Sequence, residues 1–314
     1  MSHASLQQPS VETPIALDGV AALPHLGVIR VAGEDAAKFL HGQLTQDFAL
    51  LGEGQARLAA LCTAKGRMQA SFIGLKNGPN EVLLVTSADI LPAVVKRLSM
   101  FVLRAKAKLS DASADFSLRG LAGSAVPQPD AEPWTLQREA GAFVVSLYPA
   151  DGQPRALWLA PAGTTEPAGA ALPAEAWALG EVRSGIATLS QPVVEAFVPQ
   201  MLNYESVGGV NFKKGCYPGQ EIVARSQFRG TLKRRAYVVQ APALLMPGQD
   251  VFADGDADQP VGTVVQAAPA PRGGCEAIVS MQISAAQGAR LSAGTADGPQ
   301  LTLKPLPYAL LEDI

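Results

Sequence analysis

The sequence predicts an α+β chain, two α+β segments followed by a small all-β unit. Three observations lead there. Over residues 27–109 the apolar periodicity reads β-α-β-β-β-α-β, the order of a largely antiparallel sheet with helices laid on it. Over residues 116–184 strands and a helix follow again. From Arg235 onward only short strand-like pieces remain, separated by Gly, Pro and Asp turns, the texture of a barrel or sandwich. A length of 314 residues agrees with about two domains, or three small ones.

In the first segment, residues 27–33 read as a strand. Residues 34–48 read as a helix, with Ala36, Phe39, Leu40 and Leu44 on one face. Residues 55–64 and 67–76 are strands joined by a Lys65-Gly66 turn, and 81–86 is a third. Residues 88–100 are helical, with Ile90, Leu91, Val94, Val95 and Leu98 as an apolar stripe, and 102–109 returns as a strand. In the second segment, 116–121, 143–147 and 155–159 are strands. Residues 126–133 form a proline-rich loop, 161–173 a surface connection, and 173–184 a helix carrying Trp177. The last segment has strands at 235–240, 251–253, 261–266, 277–283 and 301–303. The expected division is a ragged start over 1–22, α+β domains over 23–115 and 116–230, and a β-unit over 231–314, with a boundary near Gly230.

Composition narrows the function. At 48% hydrophobic residues the chain can bury real cores, and a net charge of -3 gives no global field for nucleic acid. Cys62, Cys216 and Cys275 are too few and too scattered for a disulfide framework or a four-thiolate metal site. His3, His25 and His41 have no metal-ligand spacing, so no metal site is expected. Residues 1–14 have neither the basic nor the apolar region of a signal peptide, and no run approaches the roughly 18 apolar residues of a membrane span. A reducing, cytoplasmic setting is the expectation.

The chemistry concentrates in Asn211-Phe212-Lys213-Lys214-Gly215-Cys216-Tyr217-Pro218-Gly219-Gln220-Glu221. Pro218 suits the first turn of a helix, and 220–225 are mostly good helix formers. Cys216 would then stand just before a helix N-terminus beside two lysines, a setting that favours a thiolate. The plain alternative is a small buried hydrophobe, the common fate of a free cysteine. Residues 213–235 hold seven cationic residues against one acid, Glu221, a local charge of +6. This is either an anion site, with weak tRNA contact as one form, or an ordinary solvated face. Lys65 and Arg67, in Cys62-Thr63-Ala64-Lys65-Gly66-Arg67-Met68, either face a ligand cleft or decorate an ordinary turn. Trp177 could stack on a flat heteroaromatic ring, although a lone Trp on an apolar helix face is more often core. Glu195 could accept from an amino-pyrimidine edge or simply be solvated.

Phe212 to Glu221 resembles the signature of the YgfZ family, K-G-C-Y-x-G-Q-E, folate-binding proteins related to the T-protein of glycine cleavage. Cys62 to Met68 is similar to that family's C-x-A-K-G-x-M turn. Gly42-Gln43-Leu44-Thr45-Gln46-Asp47, Phe197-Val198-Pro199-Gln200 and Pro305-Leu306-Pro307-Tyr308 extend the resemblance across nearly the whole chain. It implies a T-protein-like body of two α+β domains around a central folate cleft, with a C-terminal β-barrel. It implies tetrahydrofolate or a one-carbon derivative as ligand. It further implies a role in assembling or repairing iron–sulfur clusters in selected enzymes, including the radical-SAM enzyme that methylthiolates tRNA. By position, Cys216 is the signature thiol, and Lys214, Gly215, Tyr217, Gln220 and Glu221 are its motif neighbours near the folate. Trp177 falls where the family sets an aromatic residue on folate, and Glu195 where T-proteins use a carboxylate on the pterin. Leu26 replaces a tryptophan that some relatives have on the far wall. T-proteins also carry an aspartate just after the hairpin turn, whereas Arg67-Met68-Gln69-Ala70 has no acid to stabilise a developing cation. The resemblance therefore implies an accessory factor in preference to the alternative, an aminomethyl or one-carbon transferase.

Overall fold

A computed structural model describes residues 17–228, 232–254 and 258–311. In chain order the elements are β1 (Gly19–Ala22), β2 (Leu26–Ala32), α1 (Ala36–His41), β3 (Ala56–Cys62), β4 (Met68–Lys76), β5 (Glu81–Ser87), α2 (Leu91–Ser99) and β6 (Lys108–Asp111). There follow β7 (Phe116–Ala122), β8 (Leu136–Glu139), β9 (Ala142–Ala150), β10 (Gln153–Pro161), α3 (Ala174–Arg183) and α4 (Gln220–Phe228). The last are β11 (Arg234–Ala241), β12 (Asp250–Ala253), β13 (Gly262–Pro269), β14 (Cys275–Gln282), α5 (Ile283–Ala286), β15 (Leu291–Ala293) and β16 (Gln300–Lys304).

The strands make two five-stranded sheets, ordered β3-β4-β5-β2-β6 and β1-β7-β10-β9-β8, and a closed barrel, β11-β14-β13-β12-β15-β16. Strand period fixes how the sheets stack. In β2, Ile29 and Val31 join the core beneath α1 and α2, while Val28 faces the other way. In β5, Val82 and Leu84 take the helix side, and Leu83 and Val85 the opposite side. That opposite face packs on the second sheet, against Val145, Leu157 and Leu159, and on Trp177 of α3. The first sheet is thus buried on both faces, which is why its strands are nearly continuous apolar runs. A further core joins the ends of β3 and β4 (Leu58, Met68) to α3 (Leu179, Val182), α4 (Val223) and the barrel (Val238, Ile278).

Several elements differ from expectation for identifiable reasons. Residues 19–22, assigned to a ragged start, form β1 and close an edge of the second sheet, with Gly19 opposite Ala122. The rest of that start up to residue 16, and the boundary at Gly230, lie outside the described residues. The helix expected over 34–48 stops at His41. Beyond it Thr45 Oγ1 bonds to the Gly209 carbonyl and Gln46 Oε1 accepts from Asp47 N–H, so side chains compete with the helix ladder. The strand expected over 102–109 is confined to β6. Ahead of it Val102 N–H and Ala105 N–H bond into successive turns, and Leu103 is left-handed at φ 35°. Two short strands, β8 and β15, were not legible. No helix of the described residues is long and apolar enough to cross a membrane.

The barrel is fastened to α3 through a charged fork. Arg183 Nη2 and Nε donate to the two oxygens of Glu276, at 2.7 and 3.0 Å, and Lys304 Nζ lies 2.9 Å from Oε1. Burial pushes the Glu276 carboxyl up, but the hydrogen bonds and charges of Arg183 and Lys304 outweigh it and hold the group below the ordinary carboxylate range. A depressed folded-state pKa means stabilisation that is complete above the ordinary glutamate value and is lost as the pH falls through the lowered one. The melting temperature is therefore expected to fall on acidification through that window, and Glu276→Gln should flatten the fall. An unaltered pH slope in the variant, measured by thermal melts, would contradict this assignment.

Candidate functional site

Two neighbouring features carry chemistry. The first is the Lys213–Glu221 stretch, which clamps the two runs of the first sheet that share its family resemblance. Lys214 is buried and its Nζ donates to the Leu44 carbonyl at 2.7 Å and to the His41 carbonyl, capping the end of α1. The same nitrogen lies 4.5 Å from the centroid of the buried Tyr217 ring. Burial pushes the Lys214 ammonium down to about 8, with the charges of Asp47 and Cys216 acting the other way. Gly219 has φ +81°, and a Cβ on it would lie 2.4 Å from the Thr63 carbonyl oxygen and 2.8 Å from the Gly66 backbone. Only glycine allows this turn to seat on the Lys65-Gly66 hairpin. Ile222 then covers Gly66 from α4.

This arrangement modifies the helix-start expectation. Pro218 lies in the turn before the helix, since α4 begins at Gln220 after the left-handed Gly219. Of the two lysines, only Lys213 is exposed beside the thiol. Cys216 itself is exposed, whereas Cys62 and Cys275 are buried, and burial alone pushes the Cys62 thiol up to about 12. The basic run does not form one face. Lys214 is turned inward, and Arg235 is buried and donates to Glu205 Oε1 at 2.6 Å. Arg234 donates to the Val261 carbonyl. Lys213, Arg225 and Lys233 are exposed, and Arg229 lies outside the described residues.

The second feature is a cavity where the two sheets, α3 and the loop after it converge. Its open interior is about 60 Å³, room for a few water molecules with the side chains as they stand. Trp134, Tyr148, Trp177 and Tyr204 give it aromatic walls, and Leu26 stands on the side of the first sheet. Trp177 and Glu181, one helical turn apart on α3, share a face. Trp177 Nε1 donates to Glu181 Oε1 at 2.9 Å, and Gln266 Nε2 of the barrel donates to Oε2 at 3.2 Å. His25 Nε2 lies 3.1 Å from Oε1. Burial lowers the His25 imidazole, but the hydrogen bond and charge of Glu181 prevail and raise it. Arg155 of β10 places its guanidinium carbon 4.4 Å above the Trp177 ring. Thr86 Oγ1 and Arg155 Nε are buried there without partners.

Of the residues singled out by sequence, Trp177 and Leu26 line this cavity. Lys65, Arg67, Lys214, Gly215, Tyr217, Gln220 and Glu221 gather at the clamp around the hairpin, and none of them is on the cavity wall. Arg67 is occupied by the Ala196 carbonyl at 2.6 Å. Glu195 is also off the wall: it is exposed, left-handed at φ 62°, and accepts from Gln69 Nε2 at 2.7 Å. Its backbone N–H is tied to the Met68 carbonyl, which holds the loop against β4. The carboxylate that does line the cavity is Glu181. Its signal was an acid four residues after Trp177, on the side of the helix that the apolar pattern assigns to the interior. Arg155, a cation at the head of the apolar run Ala156-Leu157-Trp158-Leu159, was the other readable sign.

No protein-family model matches the chain. It is 31% identical over 306 residues to the tRNA-modifying protein YgfZ of Edwardsiella ictaluri (strain 93-146), covering 90% of this chain and 89% of that protein. It is 29% identical over 331 residues to the tRNA-modifying protein YgfZ of Cronobacter sakazakii (strain ATCC BAA-894), covering 98% and 97%. Among solved structures it is similar to the glycine cleavage system aminomethyltransferase T from Bartonella henselae, with a TM-score of 0.67 and 16% identity over 92% of this chain and 86% of that one. That likeness is one of fold: a T-protein-like α+β body with a C-terminal β-barrel.

Proposed function

The chain belongs to the YgfZ family of tRNA-modifying proteins, and we propose that it binds tetrahydrofolate, or a one-carbon derivative, in the cavity and serves as an accessory factor to tRNA modification. Its work is to support assembly or repair of iron–sulfur clusters in client enzymes, among them a radical-SAM enzyme that methylthiolates tRNA. It does so in the cytoplasm. The observation that carries this reading is the separation of thiol and cavity. Cys216 is exposed on the clamp, and no residue of its motif lines the cavity. An exposed thiol away from the ligand cavity is suited to a partner protein.

The cavity suits a pteridine. Its aromatic walls match a flat heteroaromatic ring, Glu181 supplies an acceptor, and Arg155 and Thr86 have unfilled polar atoms for the ring edge. Bound tetrahydrofolate would supply a carrier for one-carbon units. In this chain Glu181, fixed by Trp177 and Gln266, would orient the ring edge. A transferase role is disfavoured by Gln69. It stands on β4 where T-proteins carry an acid, and the nearby carboxylate of Glu195 is off the cavity wall. Among the described residues of the 213–235 run, the exposed cations are Lys213, Arg225 and Lys233, a set suited to weak, salt-sensitive tRNA contact.

Two measurements test the reading. In cells lacking the native copy, Cys216→Ala is expected to leave methylthiolated tRNA at the level of the deletion, while the purified variant binds tetrahydrofolate as the wild type does. Full rescue by Cys216→Ala would remove the thiol from the function. Absence of tetrahydrofolate binding by the wild type would remove the ligand, and robust aminomethyl transfer with glycine-cleavage components would favour the transferase.

A further inference from the structure

We propose that Arg155 is the specificity-determining residue of the cavity: it donates to a ring oxo group of the ligand, so the site takes a 4-oxo pteridine and rejects the 4-amino counterpart. This inference rests on the folate reading and goes beyond it.

The argument starts from an unfilled donor set. Arginine carries five N–H donors and stays cationic. Burial pushes the Arg155 guanidinium down to about 10, with the charge of Glu181 acting the other way, so it remains charged at neutral pH. The residue is 4% exposed. Its protein hydrogen bond runs from Nη1 to the Tyr148 carbonyl at 3.5 Å, the outer limit of such a contact, and Nε has no partner. Among the described residues no carboxylate stands within ion-pair distance of it. Leaving a buried cation this poorly matched is costly, and a bound acceptor would offset that cost.

Glu181, one turn from Trp177, is in the opposite condition. It accepts from Trp177 and Gln266 and faces His25, so its position is set by the protein. The guanidinium lies over Trp177 on the cavity wall with Nε unpartnered, so a ligand in the cavity can take the free donor. An oxo oxygen accepts from that donor. An amino group in its place would set N–H against a cation, with no acceptor gained. A site built to donate rejects an analogue that cannot accept far more strongly than a merely apolar pocket could. A carboxylate from a glutamate tail is a poorer match, because Arg155 is buried against Trp177 and such a tail is strongly hydrated.

The test is titration calorimetry on the full-length chain with tetrahydrofolate, its 4-amino analogue tetrahydroaminopterin, and tail-less 6-methyltetrahydropterin. The wild type is expected to prefer tetrahydrofolate over the 4-amino analogue by about 100-fold or more. In Arg155→Met that ratio should collapse toward one, through weakened binding of tetrahydrofolate, and binding of the tail-less pterin should weaken in parallel. Arg155→Lys should restore only part of the ratio, because a point charge does not reproduce the fork. Equal wild-type affinity for the two folates, or an unchanged ratio in Arg155→Met, overturns the assignment while the folate reading stands. Unweakened binding of the tail-less pterin by Arg155→Met overturns it in favour of tail recognition. If the wild type binds none of the three, the folate reading fails and this inference with it. Should Arg155→Met not fold, the wild-type ratio decides alone.

Discussion

Trp177→Ala is expected to destabilise the folded chain by about 3–5 kcal/mol, the range for emptying a buried large aromatic site. The side chain is 1% exposed and belongs to the core between the two sheets. It is also enclosed from behind. A Cβ on Gly120 of β7 would lie 2.5 Å from the Trp177 ring, so that strand has no side chain with which to fill the hole. Two partners lose their contacts as well. Glu181 loses the 2.9 Å donor that fixes Oε1, and the Arg155 guanidinium loses the ring beneath it. Trp177→Phe separates these effects, since it keeps most of the volume and a π face but removes the donor. That variant should lose about 1–3 kcal/mol, the cost of a buried acceptor left short of a partner. Urea unfolding at constant m-value reads both changes as shifts in midpoint. Tetrahydrofolate binding should be lost in Trp177→Ala and weakened in Trp177→Phe. A stability loss in Trp177→Ala no larger than the roughly 0.5 kcal/mol of an ordinary surface change would contradict this packing.

Trp177 also marks the limit of what sequence could say. Its helix was legible because apolar residues recur at helical spacing over 174–183, and the strands of the first sheet because they are long apolar runs between turn residues. The barrel was legible from evenly spaced short strands. What escaped was set by distant contacts. β1 exists because β7 offers it an edge, and nothing within residues 19–22 announces that partner. The end of α1 at His41 depends on Thr45 finding a carbonyl at Gly209, far along the chain. At the candidate site, the motif around Cys216 was conspicuous because its unusual residues are adjacent in sequence. The cavity was not, because its polar members come from separate elements: Thr86 at the end of β5, Arg155 on β10 and Glu181 on α3. Proximity in sequence had suggested that the lysines served the thiol. Instead Lys214 is turned onto the carbonyls that α1 leaves open.

Gly219→Ala tests whether seating of the motif on the hairpin is what makes Cys216 functional. Two costs apply at this position. A left-handed backbone costs an alanine about 1–2 kcal/mol wherever it occurs. The second cost is local, because the new Cβ would meet the Thr63 carbonyl oxygen at 2.4 Å and the Gly66 backbone at 2.8 Å. Those are main-chain atoms of a tight turn and cannot rotate away as a side-chain tip could. Gly152, in the turn between β9 and β10, supplies the control. Its φ is +73°, and nothing lies within 4 Å of a Cβ built there, so Gly152→Ala carries the first cost without the second. The expected result is a sharp difference between the two variants. Gly152→Ala should lose about 1–2 kcal/mol and support tRNA methylthiolation fully. Gly219→Ala should lose more stability and fail in the cellular assay as Cys216→Ala does. It should also retain tetrahydrofolate binding, because the clamp contributes no residue to the cavity wall. Amide exchange should show the loss of protection confined to α4 and the 62–68 turn. Equal behaviour of the two glycine variants would mean that contact between motif and hairpin is incidental. Loss of folate binding in Gly219→Ala alone would mean that clamp and cavity are one coupled site, and the separation on which the accessory role rests would be withdrawn.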